Sequence, residues 1–206
     1  MTLINSLIQE GWLKTLRIIE AFRSVQRIDF LPEDMKDLAD LNEALPIGFG
    51  QTISQPLVVA FMIEQLAPEP GDKILDIGSG SGWTSALLGK IVGEKGKVIA
   101  IEIVPELKTF GQENVSRYEL VKRGIVEFVC ADGSKGYPKE APFDRILASA
   151  SARKIPQAWK DQLKIGGRIV TPMGNSIWLF IKKSKKDFRE IEYPGFVFVP
   201  LITKEK

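Results

Sequence analysis

The 206-residue chain contains no histidine. A Ser-His-Asp hydrolase and a histidine-based metal centre are therefore excluded, and any proton transfer falls to Asp, Glu, Lys, Tyr or Cys. Cysteine is nearly absent too. Cys130 stands alone, which rules out an intramolecular disulfide and a multi-cysteine zinc site and suits a reducing cytoplasm. No apolar run approaches the ~20 residues that a membrane helix needs. The opening "MTLINSLIQEGW" lacks the basic start and long apolar region of a secretory leader. Strong charge is missing as well: a formal +2 gives no field for nucleic acid or an anionic membrane, and neither is expected as a partner. There is no internal repeat, low-complexity tract or long Pro/Gly linker.

What is present is ordinary in bulk, with 44% hydrophobic and 26% charged residues, as in a globular protein. Residues 3–24 carry apolar side chains at helical spacing with a break at Gly11, and "FLPEDMKDLADL" reads as a turn and short helix. From residue 72 the pattern alternates. "DKILDIG", "GKVIAIE", "VEFVCAD" and "FDRILASAS" read as buried strands, with helices through 83–92 and from Pro105 between them. A helix at 156–163 precedes "GRIVTPM", "SIWLFIKK" and "GFVFVPLI", all read as strands. Short apolar strands with helical crossovers predict a doubly wound, mostly parallel α/β sheet, with the last two strands as an antiparallel edge hairpin. The basic run Lys182-Lys183-Ser184-Lys185-Lys186 then reads as a solvated hairpin tip. Two parts are expected within one compact unit: an N-terminal helical cap with an active-site segment (1–56) and a ligand-binding core (57–206).

The chemistry concentrates in "LDIGSGSGWTSALL". Gly78, Gly80 and Gly82 follow the first strand, where the lack of Cβ lets backbone touch a ligand, and a helix N-terminus comes next. A nucleotide cofactor is implied. The spacing is G-x-G-x-G with Trp83 where a dinucleotide site needs a small residue. The Gly-Lys-Ser/Thr ending of a phosphate loop and the serine of a nucleophile elbow are both absent. The remaining pattern is that of S-adenosylmethionine (SAM) methyltransferases. Glu102 ends the second strand within reach of ribose hydroxyls. Asp132 ends the third, where its carboxylate can accept the adenine amino group. Asp76 precedes the glycines and can hold the cofactor's ammonium or orient the loop. Each carboxylate also has a plainer reading as a cap of the following helix.

A polar stretch, "ALPIGFGQTISQP" (44–56), precedes an apolar helix at 57–66. It resembles the signature of the protein-L-isoaspartate O-methyltransferases. The resemblance continues through "LDIGSGSGW", "ADGSKGYP", "APFDRIL", "IP…QL..GGRIV.P.G" and "FVFVPL", in order and over nearly the whole chain from "VQRIDFLPED". It implies a Rossmann-like SAM methyltransferase fold. It also implies repair chemistry: SAM esterifies the free carboxylate of L-isoaspartyl (and D-aspartyl) residues in damaged proteins or peptides, leaving S-adenosylhomocysteine. The ester then collapses unaided to a succinimide. By the same resemblance Ser54 is the catalytic residue. Thr52, Ile53, Ser54, Asp76, Gly78, Ser79, Gly80, Ser81, Gly82, Glu102, Ile103, Asp132 and Gly133 contact the cofactor. Ile53, Ser54 and Pro172 border the peptide, no metal is used, and a monomer is expected. The chain departs from the family pattern in "DLADLNE", at Leu57, at Trp83 and in "ASASARK". A related carboxyl methyltransferase acting on another peptide and a non-catalytic SAM-binding module stay open as alternatives. In the module, Ser54 would be only the N-cap of the helix that follows.

The physics agrees with a chain lacking imidazole. A carboxylate with a pKa near ~4 is already ionised at neutral pH, so no general base is required. The sulfonium leaves without a proton. What remains is alignment, which can account for about 7–11 kcal/mol of barrier.

Overall fold

Alternating apolar strands and helices give, in the computed structural model, a seven-stranded sheet, described over residues 2–203. Helices α1 (Leu3–Gln9) and α2 (Leu16–Ser24) lead through two 3-10 turns to a short hairpin of β1 (Leu45–Gly48) and β2 (Gln51–Ile53). Then follow α3 (Pro56–Leu66), β3 (Lys73–Ile77), α4 (Trp83–Val92), β4 (Lys97–Glu102), α5 (Pro105–Ser116) and β5 (Val126–Cys130). The chain continues with β6 (Phe143–Ala148), α6 (Gln157–Gln162), β7 (Leu163–Met173), β8 (Ser176–Lys182) and β9 (Phe188–Pro194). Pro56 and Pro105 open α3 and α5, where a missing N–H costs nothing.

The order is β5-β4-β3-β6-β7-β8-β9, parallel through β7 and antiparallel from there. Helices cover both faces, which is why the inner strands read as continuous apolar runs. Along β3 the side chains still alternate. Ile74 joins the cluster under α3, α4 and the N-terminal helices, while Leu75 and Ile77 join the opposite cluster with Trp159. Asp76 shares Ile74's face and there meets Ser85 of α4. The chain reverses direction of travel between β3 and β6, so a crevice opens beyond their carboxyl ends.

The N-terminal helices are fastened rather than appended. Glu64 of α3 accepts the N–H groups of Lys14 and Thr15 (both 2.8 Å) and the Thr15 hydroxyl (2.7 Å), capping α2 from outside. Leu7, Leu13, Ile18, Phe22 and Phe30 share one buried cluster with Ile63, Leu66 and Trp83. No helix among the described residues is long and apolar enough to cross a membrane.

Three expectations need correction. The last strand is not "GFVFVPLI" but residues 188–194, FREIEYP, paired with β8 along its whole length. Its outward Arg189, Glu190 and Glu192 suit an edge strand, which charge protects from further pairing. Residues 195–202 instead leave the sheet at Gly195 (φ 98°) and run across the crevice, touching it through a bridge between Ser151 and Pro200. Secondly, the basic hairpin tip begins only after Lys182. That side chain is buried and donates to the carbonyls of Lys160 (2.5 Å) and Leu163 (2.8 Å). Thirdly, Ser54 is not the N-cap of α3. Gln55 holds that position with no side-chain cap, and the Leu57 N–H goes to Asn42 Oδ1 at 3.0 Å.

Candidate active site

The glycine turn between β3 and α4 takes left-handed backbone at Gly78 (φ 75°), Gly80 (φ 50°) and Gly82 (φ 86°). At Gly82 the requirement is double, because a Cβ would lie 2.7 Å from the Gly111 carbonyl oxygen of α5. The turn's amides are used within the fold. Those of Gly78 and Ser79 donate to the Ile101 carbonyl (2.8 and 3.1 Å), that of Gly80 to Glu102 Oε2 (2.9 Å), and that of Gly82 to the Ser79 carbonyl (2.8 Å).

Two clefts meet above this turn. The first, about 560 Å³ including its open mouth, has Gly78 and Gly80 as floor, Glu102 and Ile103 from the end of β4, and Ala131 and Gly133 after β5. Residues 199–202 close one side, and Gln51 and Thr52 of β2 overhang it. The second cleft holds Ser54 with Ala44, Gln55, Val58 and the exposed Val197. Thr52, Ser149 and Val199 line both, so the two clefts adjoin.

The sites predicted from sequence thus separate into groups. Thr52, Gly78, Gly80, Glu102, Ile103 and Gly133 line the first cleft. Ser54 lines the second. Ile53 is buried in the core beneath the hairpin, and Ser79, Ser81 and Gly82 lie behind the turn's surface. Pro172 sits inside β7, where its carbonyl accepts the Ala152 N–H at 3.1 Å. Asp132 lies one residue before Gly133 and caps the next 3-10 turn, accepting the Ser134 N–H (3.0 Å) and hydroxyl (2.7 Å). Residues not singled out from sequence are Gln51, Ile77, Ile101, Ala131, Ser149, Ala150 and the wall at 199–202. The motif "FVFVPL" marked that wall, but as a strand. Trp159 also went unnoticed: its indole N–H donates to the Gly133 carbonyl at 2.8 Å and fixes the cleft's far edge.

The electrostatics suit a cationic nucleoside rather than a phosphate. No Lys or Arg among the described residues lines the first cleft, and the glycine amides that would hold a phosphate are already engaged. One carboxylate, Glu102, lines it instead, while Asp76 and Asp132 stand next in sequence to the lining residues Ile77 and Gly133. Glu102 Oε1 accepts Ile103 and Val104 N–H (2.8 and 3.1 Å), and with one bond on Oε2 an acceptor position is left over. Asp76 is fully buried; Ser85 Oγ donates to its Oδ2 at 2.6 Å, and Oδ1 has no partner among the described residues. Burial raises its pKa to about 7, the Ser85 bond opposing and the Glu102 charge assisting. A sulfonium with an ammonium and a ribose diol matches that donor and acceptor set.

This fold and crevice are those of the Rossmann-like, SAM-dependent methyltransferases. Comparison with known proteins narrows the class. The family model for protein-L-isoaspartate(D-aspartate) O-methyltransferase matches residues 1–206. The chain is 41% identical over 207 residues to the protein-L-isoaspartate O-methyltransferase of Methanopyrus kandleri, covering 98% of this chain and 91% of that one. It is 41% identical over 209 residues to the enzyme of that name from Aeropyrum pernix, covering 98% and 78%. In fold it matches a candidate protein-L-isoaspartate O-methyltransferase of Plasmodium falciparum solved with S-adenosyl-L-homocysteine, with TM-score 0.88 and 24% identity over 97% and 96% of the two chains. The chain belongs to the protein-L-isoaspartate(D-aspartate) O-methyltransferase family.

Proposed function

We propose that this enzyme methylates the free carboxylate of L-isoaspartyl and D-aspartyl residues in damaged proteins, with SAM as donor and Ser54 as the residue that places the acceptor. Family membership supports the reaction. The observation that carries the role of Ser54 is that its cleft adjoins the glycine-turn cleft at Thr52, Ser149 and Val199. Bound SAM supplies an electrophilic methyl whose transfer needs no proton. The chain's part is placement. Glu102 would hold a ribose hydroxyl with its remaining acceptor position, Asp132 would receive the adenine amino group, and Asp76 would order the turn from behind through its bond with Ser85. The Ser54 hydroxyl donates to one oxygen of the substrate carboxylate and leaves the other aimed toward the glycine-turn cleft. Thr52 and Val199, shared by both clefts, flank the junction. Orientation of this kind can supply about 7–11 kcal/mol.

The shared cluster under α3 and α4 supports reading 1–56 and 57–206 as one unit. The lone thiol supports a reducing cytoplasm and the small net charge gives no field to draw nucleic acid, while the monomer rests on the family resemblance alone.

Labelled SAM with matched isoaspartyl and aspartyl peptides tests the reading. Base-labile label is expected on the isoaspartyl peptide alone. Ser54→Ala is expected to lower its turnover at least tenfold while S-adenosylhomocysteine affinity stays within twofold. Full turnover in that variant would remove Ser54 from the mechanism, and base-stable label would point to N-methylation.

A further inference from the structure

Arg27 is buried, in the 3-10 turn after α2, far in sequence from either cleft. Buried arginines ordinarily meet a carboxylate. This one meets carbonyls. Nη1 donates to Ala39 (3.0 Å) and Leu41 (3.1 Å), and Nη2 to Glu43 (2.7 Å) and, at longer range, to Ser54 (3.4 Å). The guanidinium lies over the Trp83 ring, 5.5 Å from its centroid, and Trp83 begins α4 directly after the glycine turn. Desolvation draws its pKa down to about 10, against the pull of the Asp40 charge, so the group stays ionised at neutral pH.

The four carbonyls belong to the chain entering the β1–β2 hairpin, residues 39–43, and the chain leaving it, at Ser54. A second stitch ties the same two segments. Asn42 Oδ1 accepts the Leu57 N–H (3.0 Å), and the Asn42 carbonyl accepts Gln55 Nε2 (2.8 Å). Neither segment has regular structure to satisfy its carbonyls or to hold its shape. A planar fork spanning four acceptors does both, which a lysine ammonium with three donors at one point does not.

We infer that Arg27 is a positioning residue for methyl transfer: by clamping the base of the hairpin onto the start of α4, it sets Ser54 against the glycine-turn cleft. The inference rests on the role proposed above for Ser54. Displacements of about 1 Å cost up to ~10²-fold in such reactions, so a loosened clamp is felt in catalysis before it is felt in cofactor binding.

The test is a cycle of Arg27→Lys, Ser54→Ala and the double variant on an isoaspartyl peptide, with calorimetry of S-adenosylhomocysteine. Arg27→Lys is expected to lower kcat/KM at least tenfold while cofactor affinity changes less than threefold. In the Ser54→Ala background the same change is expected to cost less than threefold, because the residue it acts through is gone. Equal losses in both backgrounds would mark Arg27 as mere support for the fold and overturn the inference. Asn42→Ala, at a half-exposed position, serves if Arg27→Lys does not fold. It is expected to lose at least threefold alone and less than twofold in the Ser54→Ala background, and a multiplicative loss again overturns the clamp. If Ser54→Ala alone keeps full turnover, the Ser54 reading falls and the clamp with it. If Ser54→Ala has its effect and the losses multiply, only the clamp falls.

Discussion

The Glu102 carboxylate accepts the backbone N–H of Gly80 at 2.9 Å, so the acid at the end of β4 shapes the turn at the end of β3. With its other oxygen it accepts the N–H groups of Ile103 and Val104. Glu102→Ala would leave three partly buried amides without their acceptor, each costing at most the about 1–3 kcal/mol of a buried unsatisfied group. The expected outcome is at least a tenfold loss of S-adenosylhomocysteine affinity by calorimetry and a lower unfolding free energy in urea. Unchanged affinity would show that the turn keeps its form, and the cofactor its hold, without this acid.

Gly111 lies inside α5, where Ala ordinarily gains about 1 kcal/mol over Gly. Here the sign should reverse. A Cβ at Gly111 would stand 2.6 Å from the Gly80 carbonyl oxygen and 3.2 Å from the Gly82 nitrogen. Gly111→Ala is expected to destabilise by about 1–3 kcal/mol, as overpacking does, and to weaken cofactor binding at least fivefold. A stabilised variant would contradict the close packing of α5 on the turn.

Asp76 gives a pH signature. Its pKa is raised from 3.8 to about 7 in the fold by burial, so the folded state keeps a proton that the unfolded state gives up. The stability this provides is complete below pH ~4, declines from there to about pH 7, and is gone above it. Glu140, drawn below its ordinary range by Lys73 and then Lys97, acts in the opposite sense, losing stability as pH falls. The two are separated by difference. The unfolding free energy of the wild type minus that of Asp76→Asn should fall between pH 4 and 7 and level off beyond. A flat difference would mean that Asp76 ionises normally.

The parallel core was legible because strands covered on both faces must be apolar throughout, and "DKILDIG" and "GKVIAIE" are. The edge was misread for the converse reason. "FREIEYP" looks too polar for a strand, yet one side of β9 faces only β8. "GFVFVPLI" looks like a strand, yet its apolar side chains wall a crevice. Among site residues, Gly78, Gly80 and Glu102 followed from strand-end position. The Glu102–Gly80 bond did not, since 22 residues of chain separate the partners. Ser54 is a candidate by family resemblance only. Arg27 carried no signal at all: in a chain with 28 Lys and Arg, nothing local distinguishes a buried guanidinium from a solvated one.

The crossing of residues 199–202 beside the glycine turn makes the cleft a long-range assembly. Pro200, Leu201 and Ile202 form a wall held through Ser151, whose N–H pairs with the Val199 carbonyl (2.8 Å) and whose carbonyl accepts the Leu201 N–H (2.9 Å). Any change that frees this segment from Ser151 therefore opens the cleft on that side while leaving its glycine floor in place.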